Sequence, residues 1–151
     1  MTLDSSATIT DQESTTLAGA TVSIGAGFIS GDTLNFATQN GITGSYNSTT
    51  GVLSLSNTAS LANYQTALDS ITYIFSPTNG DPTSGGSDTS PPIDWTATDG
   101  LASSTAATST LDTAHAPPTV TAGATASFTG GGAAVTLDGA LTVSDLTAAA
   151  T

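Results

Sequence analysis

The chain carries twelve acidic residues and not one lysine or arginine, a formal charge of −12 over 151 residues. In whatever fold it takes, no carboxylate can pair with a basic Lys or Arg side chain. Each must stay in water, accept hydrogen bonds from backbone N–H or hydroxyl groups, or bind a metal cation, because a buried unpaired charge is too costly to keep. Crowded carboxylates repel and raise one another's pKa, and a divalent cation removes that cost. The charge also narrows the partners. Nothing in the chain neutralises phosphate, so nucleic acid and anionic membrane surfaces are poor partners. The chain offers no trypsin site, which suits a protein exposed outside a cell.

The length supports about one domain with a real core. There are no cysteines, so no disulfide staples it. The bias to Thr, Ser, Ala, Gly and Asn favours a secreted protein over a cytosolic one. No apolar run approaches the roughly 20 residues of a membrane span, and no basic-then-apolar leader follows Met1. The expectation is a piece cut from a larger protein, or one exported by a signal lying elsewhere, with no membrane insertion.

Short alternating segments separated by turn residues predict an all-β sandwich. Residues 21–24 and 33–36 alternate, the second launched from a Ser30-Gly31-Asp32 turn that Asp32 caps. Residues 42–46 and 51–56 flank Asn47-Ser48-Thr49-Thr50 as a hairpin. Leu61, Tyr64 and Leu68 share one helical face behind an N-cap at Ser60. They predict a short crossover helix at about 60–69, plugging one end of the sandwich. Further strands are expected at 71–75, at 93–98 before an Asp99-Gly100 turn, and at 103–111. Residues 76–92 read as a protruding Pro- and Gly-rich loop with Asp81 and Asp88 in solvent. Tyr64, Tyr73 and Trp95 are assigned to the core, and Tyr46 is the one exposed aromatic.

The end of the chain repeats its beginning. Thr2-Leu3-Asp4 returns as Thr136-Leu137-Asp138, and Thr8-Ile9-Thr10-Asp11 as Thr142-Val143-Ser144-Asp145, both at an offset of 134. Periods this long belong to strings of domains rather than solenoids, whose units run to roughly 20–50 residues. His115-Ala116-Pro117-Pro118 reads as a stiff extended linker. The division is therefore 1–114, a sandwich lacking its opening strands; 115–118, a linker; and 119–151, the opening strands of the next repeat. Those strands are expected at 119–121, 126–128 and 134–137. The set Thr119, Val120, Thr121, Phe128, Val135 and Leu137 is a candidate strand donor to a neighbouring copy, since a sandwich without its first strands leaves an open edge.

The stretch from Gly31 to Tyr73, followed by "IDWTATDG" and the "PPTVTAGATASFTGGGAAVTLDGALTVSD" tail, resembles the cadherin-like or immunoglobulin-like tandem repeats of large secreted bacterial surface adhesins. The resemblance covers essentially the whole chain. It implies an Ig/cadherin-like sandwich, a tandem array, a cell-surface or biofilm location, and calcium at domain junctions. This chain departs from the pattern in having no Lys or Arg. It carries Asp11-Gln12-Glu13 where an Asp-x-Asp pair is usual, and Asp145-Leu146-Thr147 has lost the second acid.

Asp11 and Glu13, one residue apart after a strand, can reach one cation, and Ca²⁺ takes six to eight oxygens. Asp94 and Asp99 flank a strand that could bring them to the same end. Calcium is thus the candidate cofactor, with Asp11, Glu13, Asp99 and Asp94 as candidate ligands. The competing reading is that these are turn and cap residues, for which Asp is favoured. His115, the only histidine, sits in a Pro-flanked linker, a poor place for a hydrolytic triad. Gly130-Gly131-Gly132 lacks the lysine of a phosphate loop. No catalytic residues are expected. The expected function is a non-enzymatic structural repeat of an extended bacterial cell-surface fibre or adhesin, a spacer touching adjacent copies head-to-tail. Alternatives are a self-polymerising filament subunit joined by strand donation, and a carbohydrate-binding sandwich taking a surface glycan.

Overall fold

The computed structural model of the chain describes residues 1–4, 6–76 and 80–144. Asp145, the last acid of the C-terminal copy, and residues 77–79 of the long loop lie outside that description. Ten elements follow in order. They are β1 (Thr16–Ile24), β2 (Asp32–Asn35), β3 (Thr43–Asn47), β4 (Val52–Ser60), α1 (Leu61–Asp69), β5 (Thr72–Phe75), β6 (Pro92–Thr98), β7 (Ala107–Thr110), β8 (Thr119–Thr121) and β9 (Thr142–Ser144).

The architecture is the all-β sandwich with one short helix. Five antiparallel strands form the larger sheet in the order β3-β4-β1-β6-β7, and β2 pairs with β5 in the smaller one. The N-terminus extends the smaller sheet. Thr2 bridges Thr72, and Leu3 N–H and Tyr73 N–H bond to Ile71 and Met1 carbonyls. The buried faces of both sheets meet in one core, with Val22, Leu53, Leu55, Ile93 and Trp95 from the larger sheet and Leu34 and Tyr73 from the smaller.

Strand β1 shows how sequence sets register. It buries Leu17, then Ala20, Val22 and Ile24. That set breaks strict alternation once, and the pairing with β4 shifts register between Leu17 and Gly19. Three residue steps of β4, Ala59 to Ser56, oppose two of β1, so β4 carries one extra residue there, and both halves of β1 can face inward.

The predicted hairpin forms with Tyr46 opposite Leu53. The helix also forms where expected. Ser60 Oγ accepts the Asn63 N–H at 3.2 Å, and Tyr64, Ala67 and Leu68 are buried, while Leu61 is only half-buried. The helix joins β4 of one sheet to β5 of the other.

Three expectations are corrected. The loop at 76–92 does not simply protrude. Asp81 Oδ1 accepts Thr83 N–H and Oγ1–H, Asp81 Oδ2 accepts Gly85 N–H, and Thr83 is fully buried. Thr113 then closes the loop by bonding Thr89 and Asp88 carbonyls. Gly27 (φ 104°) has no room for a Cβ, because Asp88 packs against it. Hydroxyl and backbone donors knit a segment whose composition reads as open coil. Second, the strand expected at 103–111 is confined to Ala107–Thr110, preceded by an isolated bridge from Ser103 to Thr98. Third, of the strands expected after the linker only Thr119–Thr121 forms. Its partner is β9, not 126–128 or 134–137. Phe128, Val135 and Leu137 are exposed and outside any strand, and β8 and β9 touch no other strand or helix.

Candidate functional site

An open groove of about 790 Å³ lies between the N-terminal segment, residues 4–13, and the β6–β7 end of the larger sheet. Its floor includes Leu17, Leu68 and Trp95, and its rim includes Asp11, Glu13 and Asp99. Three of the four candidate calcium ligands therefore share one groove. Asp94 does not line it; its carboxylate accepts the Thr108 hydroxyl at 2.7 Å across the β6–β7 pair. Among the described residues, no three acids or histidines converge closely enough to hold a metal ion.

Asp11 and Asp99 accept hydrogen bonds from their own turns. Asp11 Oδ1 takes Glu13 N–H and Ser14 N–H at 2.9 and 3.0 Å. Asp99 Oδ1 takes Leu101 N–H and Ala102 N–H at 2.8 and 2.7 Å, closing the predicted Asp-Gly turn. The Ala102 bond first, then the Leu101 bond, holds the Asp99 carboxyl below the usual range. Asp4, Asp81 and Asp138 are lowered in the same way, chiefly by Ser6 N–H, the Thr83 hydroxyl and Ala140 N–H respectively. Hydrogen bonds to the ionised form favour it.

A pH dependence follows. A carboxyl whose pKa is depressed on folding stabilises the fold above its unfolded value of 3.8 and loses that contribution as pH falls through the folded value. Burial raises the Tyr46, Tyr64 and Tyr73 hydroxyls above 10.0. Their contribution is complete below pH 10 and lost as pH rises beyond it. Circular dichroism melts across pH should give a plateau between those limits, falling at both ends. A melting temperature still rising below pH 3 would contradict the acid side.

The N-terminal segment is fastened by one side chain. Gln65 of α1 takes Ile9 N–H on Oε1 at 3.0 Å and donates from Nε2 to the Ala7 carbonyl. It also reaches Asp69 Oδ1 at 3.0 Å. An amide that accepts and donates in this spacing imitates a neighbouring strand. The sequence carried no sign of it, since a glutamine on a short helix looks like a solvent-facing residue.

A second polar centre lies between the sheets. Asp32 is 4% exposed. Its Oδ2 accepts Ile29 N–H at 2.8 Å, the turn cap that was expected. Its Oδ1 accepts the Tyr73 hydroxyl at 2.6 Å, and its carbonyl accepts the Tyr46 hydroxyl at 2.7 Å. Tyr46 is thus half-buried and packed on the core, not the exposed aromatic it was taken for. Tyr64 and Trp95 are buried as expected, with Tyr64 Oη donating to the Asn57 carbonyl and Trp95 Nε1 to Ser109 Oγ. His115 Nε2 lies 3.9 Å from Asp81 Oδ2.

Across an alignment of 80 positions that covers 49% of this chain, the sequence is 48% identical to halomucin of Haloquadratum walsbyi. The chain spans about 1% of that protein, which is therefore thousands of residues long. No family model and no solved structure matches the chain. Among the described residues, no helix is long and apolar enough to cross a membrane.

Proposed function

We propose that the chain is a non-enzymatic structural repeat of an extended extracellular surface protein, a spacer that keeps its neighbours apart. The observation that carries this reading is the match to halomucin, where so high an identity occupies so small a part of so long a protein. A module of this size within such a length is what a string of units provides. The repeat of residues 2–11 at 136–145 supports it, and the structure adds a further likeness. Asp4 Oδ1 accepts the N–H two residues on, from Ser6, at 2.8 Å, and Asp138 Oδ1 does the same from Ala140 at 2.8 Å. The two turns stand 134 residues apart, the offset of the sequence repeat.

Calcium between units belongs to the same proposal, supported by Asp11, Glu13 and Asp99 lining one groove. An extracellular calcium module binds with a Kd of about 10⁻⁴–10⁻³ M. At tenfold to hundredfold excess this contributes roughly 1.4–2.7 kcal/mol per site, enough to stiffen a joint.

Small-angle scattering on chains of one, two and three units, each in EDTA and in calcium, tests both parts. The maximum dimension should grow by a constant step of about 35–45 Å per unit, the diameter of a domain this size. Growth as a compact globule would overturn the spacer reading. Profiles identical in EDTA and calcium would remove the cation while leaving the spacer intact.

A further inference from the structure

The repeated stretch occurs twice, at residues 2–11 and 136–145, and each occurrence displays the half of its surroundings that the other lacks. The first shows what lies downstream. Leu3 and Ile9 pack against the buried cluster, and Gln65 fastens the Ala7 carbonyl and Ile9 N–H. The second shows what lies upstream. Thr142-Val143-Ser144, the counterpart of Thr8-Ile9-Thr10, is β9, and it pairs antiparallel with β8. Asp138, the counterpart of Asp4, accepts Gly123 N–H on Oδ2 at 3.1 Å, which ties the turn before β9 to the residues after β8. Leu137 and Val143, the counterparts of Leu3 and Ile9, are 79% and 65% exposed.

The two settings combine into one. In the β8–β9 pair, Thr119 lies opposite Ser144, Val120 opposite Val143 and Thr121 opposite Thr142. Residues directly opposite in an antiparallel pair project to the same face of the ladder. Val120 therefore shares a face with Val143. Carried back by the 134-residue offset, that face is the one on which Ile9 meets the core. A strand paired with Thr8–Thr10 in this register turns its valine inward beside Ile9. The place for it is built. Gln65 holds the edge to which Ala7 C=O and Ile9 N–H turn. Alternate residues turn their polar groups to opposite edges, so Thr8 and Thr10 present theirs to the groove, which both line. Across the groove stands β7, the outermost strand of the larger sheet, with Ala107 and Ser109 on the wall. Asp4 lines the groove as well, placed to accept what Asp138 accepts from Gly123.

We infer that in a tandem array the groove is the seat of a strand from the same chain: the stretch that stands to Thr8–Thr10 as Thr119–Thr121 stands to Thr142–Ser144. The folding unit is then one 134-residue period opening at Pro117, and β8 is the first strand of the unit downstream. It keeps its partner β9 and gains the core that Leu3 and Ile9 have here. Val120, 65% exposed in this chain, is buried by that step, and apolar burial drives it. The inference rests on the repeat reading above and deepens it by defining the joint. Thr113 N–H is still bonded to the Thr89 carbonyl of its own unit, and Thr119 already belongs to the next. Residues 114–118, stiffened by Pro117-Pro118, are all that lies between.

The chain's own residues supply the test. An extended chain carries an added copy of residues 117–135 directly before Thr2, in place of Met1. No designed linker is needed, because Val135 is followed in the chain by Thr136, the counterpart of Thr2. All measurements are made in 1 M NaCl, where a Debye length of about 3 Å screens the acids. The melting midpoint should lie about 5 °C above that of the original chain, the effect of burying one valine. Val120→Asp in the added copy should remove that rise. The same change at the C-terminal Val120, which sits on no core, should leave the midpoint where it was. A midpoint that does not rise, or equal losses from the two substitutions, overturns the inference.

Disulfides then read the register, since the chain has no cysteine. Val120→Cys in the added copy with Ile9→Cys should close within one molecule. Closure should be about tenfold faster than for Val120→Cys with Thr10→Cys, whose side chain turns to the other face. Equal rates, or linked dimers in place of closed monomers, overturn the register and the seat. The Val120→Asp comparison leaves Ile9 untouched, so it decides even where Ile9→Cys misfolds. The spacer reading is judged apart from this: tandem chains that lengthen by constant steps would uphold it whatever the midpoint does here.

Discussion

In 10 mM salt the chain should melt about 10 °C below its melting temperature in 1 M NaCl. Twelve like charges with no Lys or Arg among them are drawn together on folding, and the repulsion is relieved when the chain opens. At low salt the Debye length is about 30 Å, comparable to the whole domain, and in 1 M salt it is about 3 Å. The difference in repulsion between folded and open chains is then on the order of a few kcal/mol. For a chain this long, each kcal/mol moves the midpoint by roughly 2–4 °C. Screening has a signature that separates it from general salting-out. Most of the rise should come below about 0.3 M, where the Debye length falls under the spacing of the surface acids. Excluded salts instead strengthen burial steadily into the molar range. A flat melting temperature from 10 mM to 0.3 M would show that the turn hydrogen bonds already offset the charge.

Asp32→Ala should destabilise the fold by about 3–4 kcal/mol, a drop of roughly 10 °C. The substitution leaves two donors without partners, the Tyr73 hydroxyl and Ile29 N–H. A buried unsatisfied donor costs about 1–3 kcal/mol, and bonds to a charged acceptor lie at the upper end. Asp32→Asn should lose about half as much, because its amide offers one acceptor where the carboxylate offers two. Tyr73→Phe removes the other partner and leaves the acid buried without that donor. The two changes touch one bond, so the double variant Asp32→Ala/Tyr73→Phe should be less damaged than the sum of the singles, by about 0.5–3 kcal/mol. Denaturant melts of the four chains measure this. Strict additivity would mean the bond contributes nothing.

Local chemistry was the legible part of the sequence. The Asn47–Thr50 turn, the Ser60 cap with Tyr64 and Leu68 behind it, and the Asp99-Gly100 turn each depend on residues within a few positions of one another. Each appears as read. Long-range pairings were not legible. Asp32 looked like a turn residue because half of its carboxylate is one; the other half meets Tyr73, 41 residues away. Gln65 meets Ala7 across 58 residues. Thr83 lies in a Pro- and Gly-rich run that no hydrophobic pattern marks as buried. At the groove, the reading of acids brought Asp11, Glu13 and Asp99 to one rim, but nothing local marked Gln65 as the residue that fastens the segment at Ala7 and Ile9. After the linker, counting apolar residues promised strands at 126–128 and 134–137. Without a core to cover, such segments gain nothing from pairing, and the pair that does form, Thr119–Thr121 with Thr142–Ser144, is three residues long.

The fastening of the N-terminal segment by Gln65 has a mechanical consequence. A unit stretched between its ends is loaded at residues 1–11, whose polar fastening is one glutamine side chain and a short pairing of residues 1–3 with 71–73, with only Leu3 and Ile9 packed on the core. The five-stranded sheet behind them is held by continuous ladders. Under tension the weak fastening yields first, as low-stability segments do. Eleven residues drawn straight reach about 35–40 Å, and the excess over the distance they already span is released while the sheet stays folded. Each unit would thus give under a pull before it breaks, and would shorten again when the glutamine re-engages.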